Sequence, residues 1–210
     1  MTPEELTSTT TSANLLGKNY VKQVDVVMSA WQTGPELMIS TKRMDSSFGK
    51  NAANRVEESY GDAKNLSLRH PQAVLGFLYG LRSTAFTEES DTAAWLLDLL
   101  AKLGREEDAY DAVGLIVPEW TAPVPPGDDG GATEDAAPIA IDPPVADEPD
   151  SDPVPILRIS VDSIPTVTLR HDLIPDELSP ARFLAIMVNT VLDNSPINMH
   201  TMARARRTDV

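Results

Sequence analysis

The stretch that decides the fold is residues 39–66, "ISTKRMDSSFGKNAANRVEESYGDAKNL". Its first four residues are typical of the end of a strand, and small polar residues follow them. From residue 48 onward, apolar side chains recur at spacings of three and four, at Phe48, Ala52, Val56, Tyr60 and Ala63. This spacing predicts an amphipathic helix over 48–66, because residues three and four apart lie on one face of a helix.

The flanking regions extend this unit into a sheet. Residues 20–31 are rich in β-branched side chains and predict a strand, while residues 32–35 predict a turn. Residues 36–42 predict a second strand, so the two strands form a hairpin. The unbroken apolar run of residues 73–81 predicts a buried central strand.

The remaining segments complete an α/β (α+β) pattern. Residues 1–12 are polar and predict a loose terminus or the lead into a helix, residues 91–104 predict a helix, and a strand is expected around residues 113–117. Residues 179–194 predict another helix, with Ser179 as its cap. The order of elements predicts a mixed central β-sheet flanked by helices.

Composition divides the chain into three parts. Residues 1–122 hold the predicted core, and the Pro-, Asp- and Gly-rich tract of residues 123–155 predicts an acidic disordered linker. Residues 156–210 predict short strands, at 156–162 and 166–170, and one helix. We expect this last part to pack on the core, because it is too small to bury a core of its own.

The net charge of −15 argues against a nucleic-acid partner, but its distribution changes that conclusion. Residues 127–152 carry nine acidic side chains and no basic one. Residues 37–75 instead carry six basic side chains against four acidic ones, which leaves a local excess of +2. A polyanion therefore remains a candidate partner for that region, because binding depends on the local arrangement of charge.

Several classes of protein are disfavoured. The chain has no cysteine, which excludes disulfides and thiolate metal sites and suits a reducing compartment, so we expect a cytoplasmic protein. The first residues have no basic segment followed by an apolar one, so no signal peptide is expected. No window approaches the ~18 consecutive apolar residues of a membrane span, so no membrane partner is expected.

One set of polar residues in the hairpin and the helix can carry chemistry. Ser40 and Lys42 are two residues apart on a strand and therefore project from the same face. The hairpin brings Asp25 towards them, and the helix after the loop returns Glu57 or Glu58 to the same edge of the sheet. Metal-assisted hydrolysis of a phosphodiester requires such a set, because carboxylates hold Mg²⁺ and a nearby lysine stabilises the developing negative charge.

These residues resemble a known pattern. "VDVV" at residues 24–27 followed by "ISTK" at residues 39–42 resembles the PD-(D/E)xK nuclease superfamily, which includes many type II restriction endonucleases. That family places an aspartate on one strand and an acidic residue two before a lysine on the next. This chain departs from the pattern at Val24, where proline is usual, and at Ser40, where the acidic residue is usual.

One branch of the superfamily has the same serine or threonine before the lysine and carries the acidic residue on the following helix. The resemblance implies a restriction-endonuclease-like fold, with Asp25 and either Glu57 or Glu58 as Mg²⁺ ligands and Lys42 as the catalytic cation. It also implies DNA as the substrate and a possible homodimer. The spacing from Lys42 favours Glu57, the polar neighbours on the helix favour Glu58, and the sequence leaves both open.

Further residues of the helix are candidates for contacts with DNA phosphates, which orient a duplex without reading its sequence. These are Lys50, Asn51, Asn54 and Arg55. A solvated, salt-bridged helix surface is at least as good an explanation of each one, and Lys42 can be the structural ion partner of Asp25. The predicted function is a Mg²⁺-dependent DNA endonuclease. The alternatives are an inactive nuclease-fold module that binds DNA or protein, and a non-enzymatic assembly protein, for which a viral origin is one option.

Overall fold

The computed structural model describes residues 7–10, 12–120 and 166–207, and it describes side chains for residues 12–49, 52–120 and 166–207. The predicted linker, 123–155, and the predicted strand, 156–162, lie outside the described residues.

The described residues form nine strands and five α-helices. The strands are β1 (Thr7–Thr10), β2 (Ala13–Leu16), β3 (Val21–Val24), β4 (Val26–Ala30), β5 (Gly34–Met44), β6 (Val74–Leu81), β7 (Ala112–Ile116), β8 (Pro118–Glu119) and β9 (Thr168–Leu169). The helices are α1 (Phe48–Ser67), α2 (Ala85–Glu88), α3 (Ser90–Leu103), α4 (Pro180–Asn194) and α5 (Thr201–Ala205). Among these helices, none has the length and apolar character needed to cross a bilayer.

The predicted class, a mixed central sheet flanked by helices, is confirmed. The strand order is β1-β4-β5-β6-β7, with the short β1 at one edge. β1 and β5 are antiparallel to β4, whereas β5, β6 and β7 are parallel to one another. Parallel neighbours need a crossover connection, which α1 supplies between β5 and β6 and α2–α3 supply between β6 and β7.

The two faces of the sheet have separate cores. On β5, Met38 and Met44 join the core beneath α1 and α3, while Leu37 and Ile39 join the core beneath α4. Because successive side chains of a strand point to opposite faces, every second residue of β5 lies towards α1. Helix α4 forms as the sequence predicts, with the Ser179 hydroxyl accepting a hydrogen bond from the Arg182 amide at 3.3 Å.

The prediction for residues 1–12 is wrong, because this segment contains β1 and the segment after it begins β2. A polar sequence gives little sign of an edge strand, whose stability comes from backbone hydrogen bonds to a neighbour rather than from buried side chains. The single strand predicted over 20–31 is also wrong. It breaks at Asp25 into β3, which pairs with β2 in a separate two-stranded sheet, and β4.

The start of α1 differs from expectation as well. Serines directly before a helix, here Ser46 and Ser47, commonly cap it, but Ser47 has a left-handed backbone with φ of 53° and makes no side-chain cap. The Glu89 carboxylate instead accepts a hydrogen bond from the Gly49 amide at 2.9 Å. A negative charge at this position stabilises the helix N-terminus, so the cap of α1 comes from a residue 40 positions away.

Candidate active site around Ser40, Thr41 and Lys42

The tripeptide Ser40-Thr41-Lys42 lies in the second half of β5. Ser40 and Lys42 have the same parity as Met38 and Met44, so they project towards α1, and both are half-buried. Thr41 projects from the opposite face and is exposed. The predicted shared orientation of Ser40 and Lys42 is therefore present.

Asp25 lies against this tripeptide. Its Oδ2 accepts hydrogen bonds from the Thr41 amide at 2.5 Å and from the Thr41 hydroxyl at 3.0 Å. The pairing between β4 and β5 ends at Val26 and Ile39. Beyond that point the Asp25 carboxylate, rather than a backbone carbonyl of β4, accepts the hydrogen bond of the Thr41 amide. Within the described residues no ion pair joins Asp25 to Lys42, so the alternative of a structural Asp25–Lys42 pair is not found.

A buried phenol forms the floor of this region. The Tyr110 hydroxyl donates a hydrogen bond to the Ser59 carbonyl of α1 at 2.7 Å. Burial is the main cause that raises the pKa of Tyr110, and the charges of Asp62 and Asp25 raise it further. A hydrogen bond from the Ser40 side chain lowers it. Ser40 and Asp25 therefore both lie within electrostatic reach of the same phenol.

Lys42 makes no hydrogen bond or ion pair with any of the described residues. The residue as a whole is half-buried on the side of the sheet that α1 covers. A lysine in such a position is available to interact with an anion that enters from solvent, because its three donors are unused.

The two glutamates of α1 lie on different flanks of the helix, and both are exposed. Glu58 is within one turn of Arg55, which donates to the Arg43 carbonyl of β5 at 3.1 Å, and of Asp62, which pairs with Lys22 of β3 at 2.8 Å. Residues on this flank therefore contact β5 of the hairpin and the neighbouring β3.

Glu57 is instead within one turn of Tyr60 and two turns of Lys64. Both of these residues bind Asp108, which lies beyond α3, at 3.1 Å and 2.5 Å. Glu57 thus faces away from Asp25, and Glu58 is the glutamate on the flank nearer to the tripeptide. Among the described side chains neither glutamate has a hydrogen bond or an ion pair.

The candidate DNA contacts are all on the N-terminal half of α1. Asn54 is exposed, and Arg55 is half-buried with its hydrogen bond to Arg43. Lys50 and Asn51 belong to the helix, but their side chains lie outside the described residues.

Sequence reasoning missed a polar cluster beside the tripeptide. Asp62 is buried and accepts a hydrogen bond from the Tyr20 hydroxyl at 3.0 Å as well as its ion pair with Lys22. Burial, followed by this hydrogen bond and the charge of Asp62, raises the pKa of Tyr20 to about 12. Asn65 accepts a hydrogen bond from the Asn19 amide at 2.8 Å and so holds the turn between β2 and β3. Polar residues at 62 and 65, beside the apolar stripe of the helix, were the available signal.

A second missed pair lies at the far end of β5. The Nε2 of His200 lies 3.0 Å from the Oε2 of the buried Glu36. The Thr33 hydroxyl donates to the other oxygen of Glu36 at 2.6 Å. The pair links α5 to the hairpin and lies four residues along the strand from Ser40.

The donors near the tripeptide have the right chemistry for a hard cation, but they are few. No group of three histidine or acidic side chains converges as a metal site within the part of the chain that the structure describes. Asp25 is the carboxylate in place, and its Oδ1 takes no hydrogen bond from the described residues. Mg²⁺ is commonly held by one or two carboxylates together with water and substrate phosphates, so this donor set fits Mg²⁺ in the presence of a phosphate ligand.

No family model, curated protein or solved structure matches this chain.

Proposed function

We propose that the chain is a Mg²⁺-dependent DNA endonuclease of restriction-endonuclease-like fold, a variant of the PD-(D/E)xK pattern. One observation carries the proposal, namely the hydrogen bonds at 2.5 Å and 3.0 Å from Thr41 to Asp25. They hold a carboxylate against the tripeptide that also presents Lys42. The order of hairpin, helix and parallel strand in the sheet supports it as well.

In this proposal, Lys42 stabilises the negative charge that builds up on the phosphate during attack by water. A compact ammonium group that is not neutralised by a carboxylate of the described residues suits that task, because it interacts most strongly with a dianionic transition state. Asp25 and Glu58 would hold the Mg²⁺, which supplies neutralisation of the phosphate charge. Ser40 would support the site from below through Tyr110.

Glu58 is the proposed second carboxylate because its flank of α1 contacts the hairpin. The sequence spacing favours Glu57, but the neighbours that share its flank bind Asp108 on the other side of the helix. A flexible, exposed glutamate can turn towards a cation held at Asp25 only from the nearer flank.

The substrate and setting follow from the same region. Arg55 and Asn54, with Lys50 and Asn51, would contact phosphates along the exposed side of α1, within the segment 37–75 whose net charge is +2. A cytoplasmic location and a homodimer are parts of the proposal, the dimer by family resemblance.

The proposal is tested by incubating the purified full chain with supercoiled plasmid and Mg²⁺, with and without EDTA. We expect Mg²⁺-dependent cleavage that EDTA abolishes and that Lys42→Ala lowers by roughly 100-fold or more, as for loss of one transition-state contact. Glu58→Gln should lower the rate and its matched neighbour Glu57→Gln should not. Equal cleavage by the Lys42→Ala variant would mean that the activity belongs to a contaminant.

The second candidate is an inactive module that keeps the fold and binds DNA. The exposure of both glutamates favours it, because a working two-carboxylate site usually holds its ligands in place before the metal binds. It predicts a gel-mobility shift of duplex DNA without cleavage by any preparation, and no effect of Asp25→Asn on that shift.

A further inference from the structure

The hydroxyl of Tyr79 is buried in the core and has no hydrogen-bond partner among the described residues. Tyr79 lies on β6, and its ring packs edge-on against Phe77 at a centroid distance of 5.9 Å. A buried hydroxyl without a partner destabilises a fold, and phenylalanine would fill nearly the same space without that cost. The packing of the ring therefore does not account for the oxygen atom.

The side chain beside Tyr79 on the neighbouring strand is Lys42. The two residues are register partners in the parallel pair of β5 and β6, and neighbouring strands lie about 4.8 Å apart. Both project towards α1, since Tyr79 shares its parity with Phe77 and Leu81 of the core beneath that helix. The Cα atoms of the two residues are thus as close as neighbouring strands allow.

Arg55 lies within electrostatic reach of the phenol. Burial raises the pKa of Tyr79, while the positive charge of Arg55 lowers it. Arg55 in turn donates to the carbonyl of Arg43, the residue after Lys42. Tyr79 and Lys42 therefore lie on the same side of the sheet as Arg55.

The two groups are chemically complementary. A lysine ammonium group has three donors and no acceptor, and a neutral phenol oxygen is an acceptor. Neither Lys42 nor the Tyr79 hydroxyl has a hydrogen bond to the described residues. The four-carbon stem of lysine rotates freely enough to bring the ammonium group to a neighbour on the next strand.

We propose that Tyr79 is a positioning residue whose hydroxyl accepts a hydrogen bond from Lys42 Nζ and holds the ammonium group beneath α1. The purpose of this contact rests on the proposed function, in which Lys42 acts on the phosphate. The proposed contact needs neither DNA nor metal, so it can be tested on the free protein.

The first test is a double-mutant cycle with Tyr79→Phe, Lys42→Met and the double variant, read from urea unfolding. We expect coupling on the order of tenfold in the unfolding equilibrium constant, as for a hydrogen bond to a charged group. Tyr79→Phe should destabilise the chain when Lys42 is present and should stabilise it in the Lys42→Met background. Stabilisation in both backgrounds, with additive effects, would overturn the proposal.

The second test needs no variant of Lys42. The rate of reductive methylation at Lys42, followed by peptide mapping, should rise several-fold in Tyr79→Phe because the ammonium group is released. The control is Tyr60→Phe, which removes a phenol on the other flank of α1 and should leave that rate unchanged. An unchanged rate in Tyr79→Phe would overturn the proposal.

Cleavage assays separate this proposal from the proposed function. If the wild-type chain cleaves DNA, Tyr79→Phe should lower the rate at saturating DNA while leaving the affinity for DNA unchanged, and an unaltered rate would overturn the positioning role. If the wild-type chain never cleaves DNA, the proposed function fails. The cycle and the methylation rate then still decide whether Tyr79 holds Lys42.

Discussion

The two faces of the central sheet differ in what they bury. Around α4 the buried side chains are apolar, and Gly76 and Gly114 leave room for Phe183 to lie close to the strands. Beneath α1 the apolar core is interrupted by polar groups that packing does not require, among them the Tyr79 hydroxyl and the half-buried Lys42. A face that serves only stability has no need of such groups, so their presence directs attention to the α1 face as the functional one.

The largest effect on stability is expected at the α4 face. Phe183→Ala removes a ring that is 2% exposed and should lower the free energy of unfolding by about 3–5 kcal/mol. Ser40→Ala on the α1 face removes one hydroxyl and should cost about 1 kcal/mol. Urea unfolding measures the free energy of unfolding of both variants. Equal decreases in the two variants would contradict the distinction between the two faces.

A smaller effect is expected from adding a single methyl group beneath α4. A Cβ at residue 114 would lie 2.9 Å from the Cβ and Cγ of Phe183, whereas one at residue 76 would meet the ends of Phe183 and Met187. Gly114→Ala should therefore cost about 1–3 kcal/mol, and Gly76→Ala should cost less, because side-chain ends move more easily than atoms near the backbone. Thermal unfolding of the two variants measures which one is less stable. A greater loss of stability in Gly76→Ala than in Gly114→Ala would contradict this prediction.

The smallest effect is expected on a titration at the flank of the α1 face. Asp62→Asn removes the charge and weakens the hydrogen bond that help to raise the pKa of Tyr20 to about 12, but burial, the largest cause, remains. The pKa of Tyr20 should therefore fall part of the way towards its ordinary value of 10.0. Tyrosinate absorbance against pH, with Tyr20→Phe as the blank, measures the change.

The direction in which folding stability changes with pH follows from the same pKa. The pKa of Tyr20 in the folded chain exceeds its ordinary value, so the contribution of this group is fully present below about pH 10. It is lost as the pH rises from about 10 to about 12. In the Asp62→Asn variant, the pH range over which this contribution is lost should narrow, because the pKa of Tyr20 in the folded chain falls. An unchanged range would show that Asp62 does not raise the pKa of Tyr20.

Sequence periodicity was sufficient for the long elements and insufficient at their ends. Helices α1 and α4 follow from the spacing of their apolar residues, and the Ser179 cap is a local signal. The cap of α1 comes from Glu89, and β1 depends on pairing with β4. The residues next to these features in the sequence therefore do not predict them. Non-local partners of this kind leave no periodic pattern in a single sequence.

The site was predicted in part for the same reason. The shared face of Ser40 and Lys42 follows from strand parity, which is local. The hydrogen bond from Thr41 to Asp25 depends on the break between β3 and β4, and the polar flank of α1 depends on where β3 lies. The sequence left Glu57 and Glu58 equivalent because only the contacts of their neighbours distinguish the two flanks.

The most direct measurement of the central claim is an NMR titration of the full chain with Mn²⁺, in the presence of a short DNA duplex. If Asp25 holds the divalent cation beside the tripeptide, the Thr41 amide signal should broaden among the first, and Asp25→Asn should abolish that broadening while keeping an acceptor for the amide. Broadening centred on another acidic surface, such as residues 106–108, with Thr41 unaffected, would contradict the account.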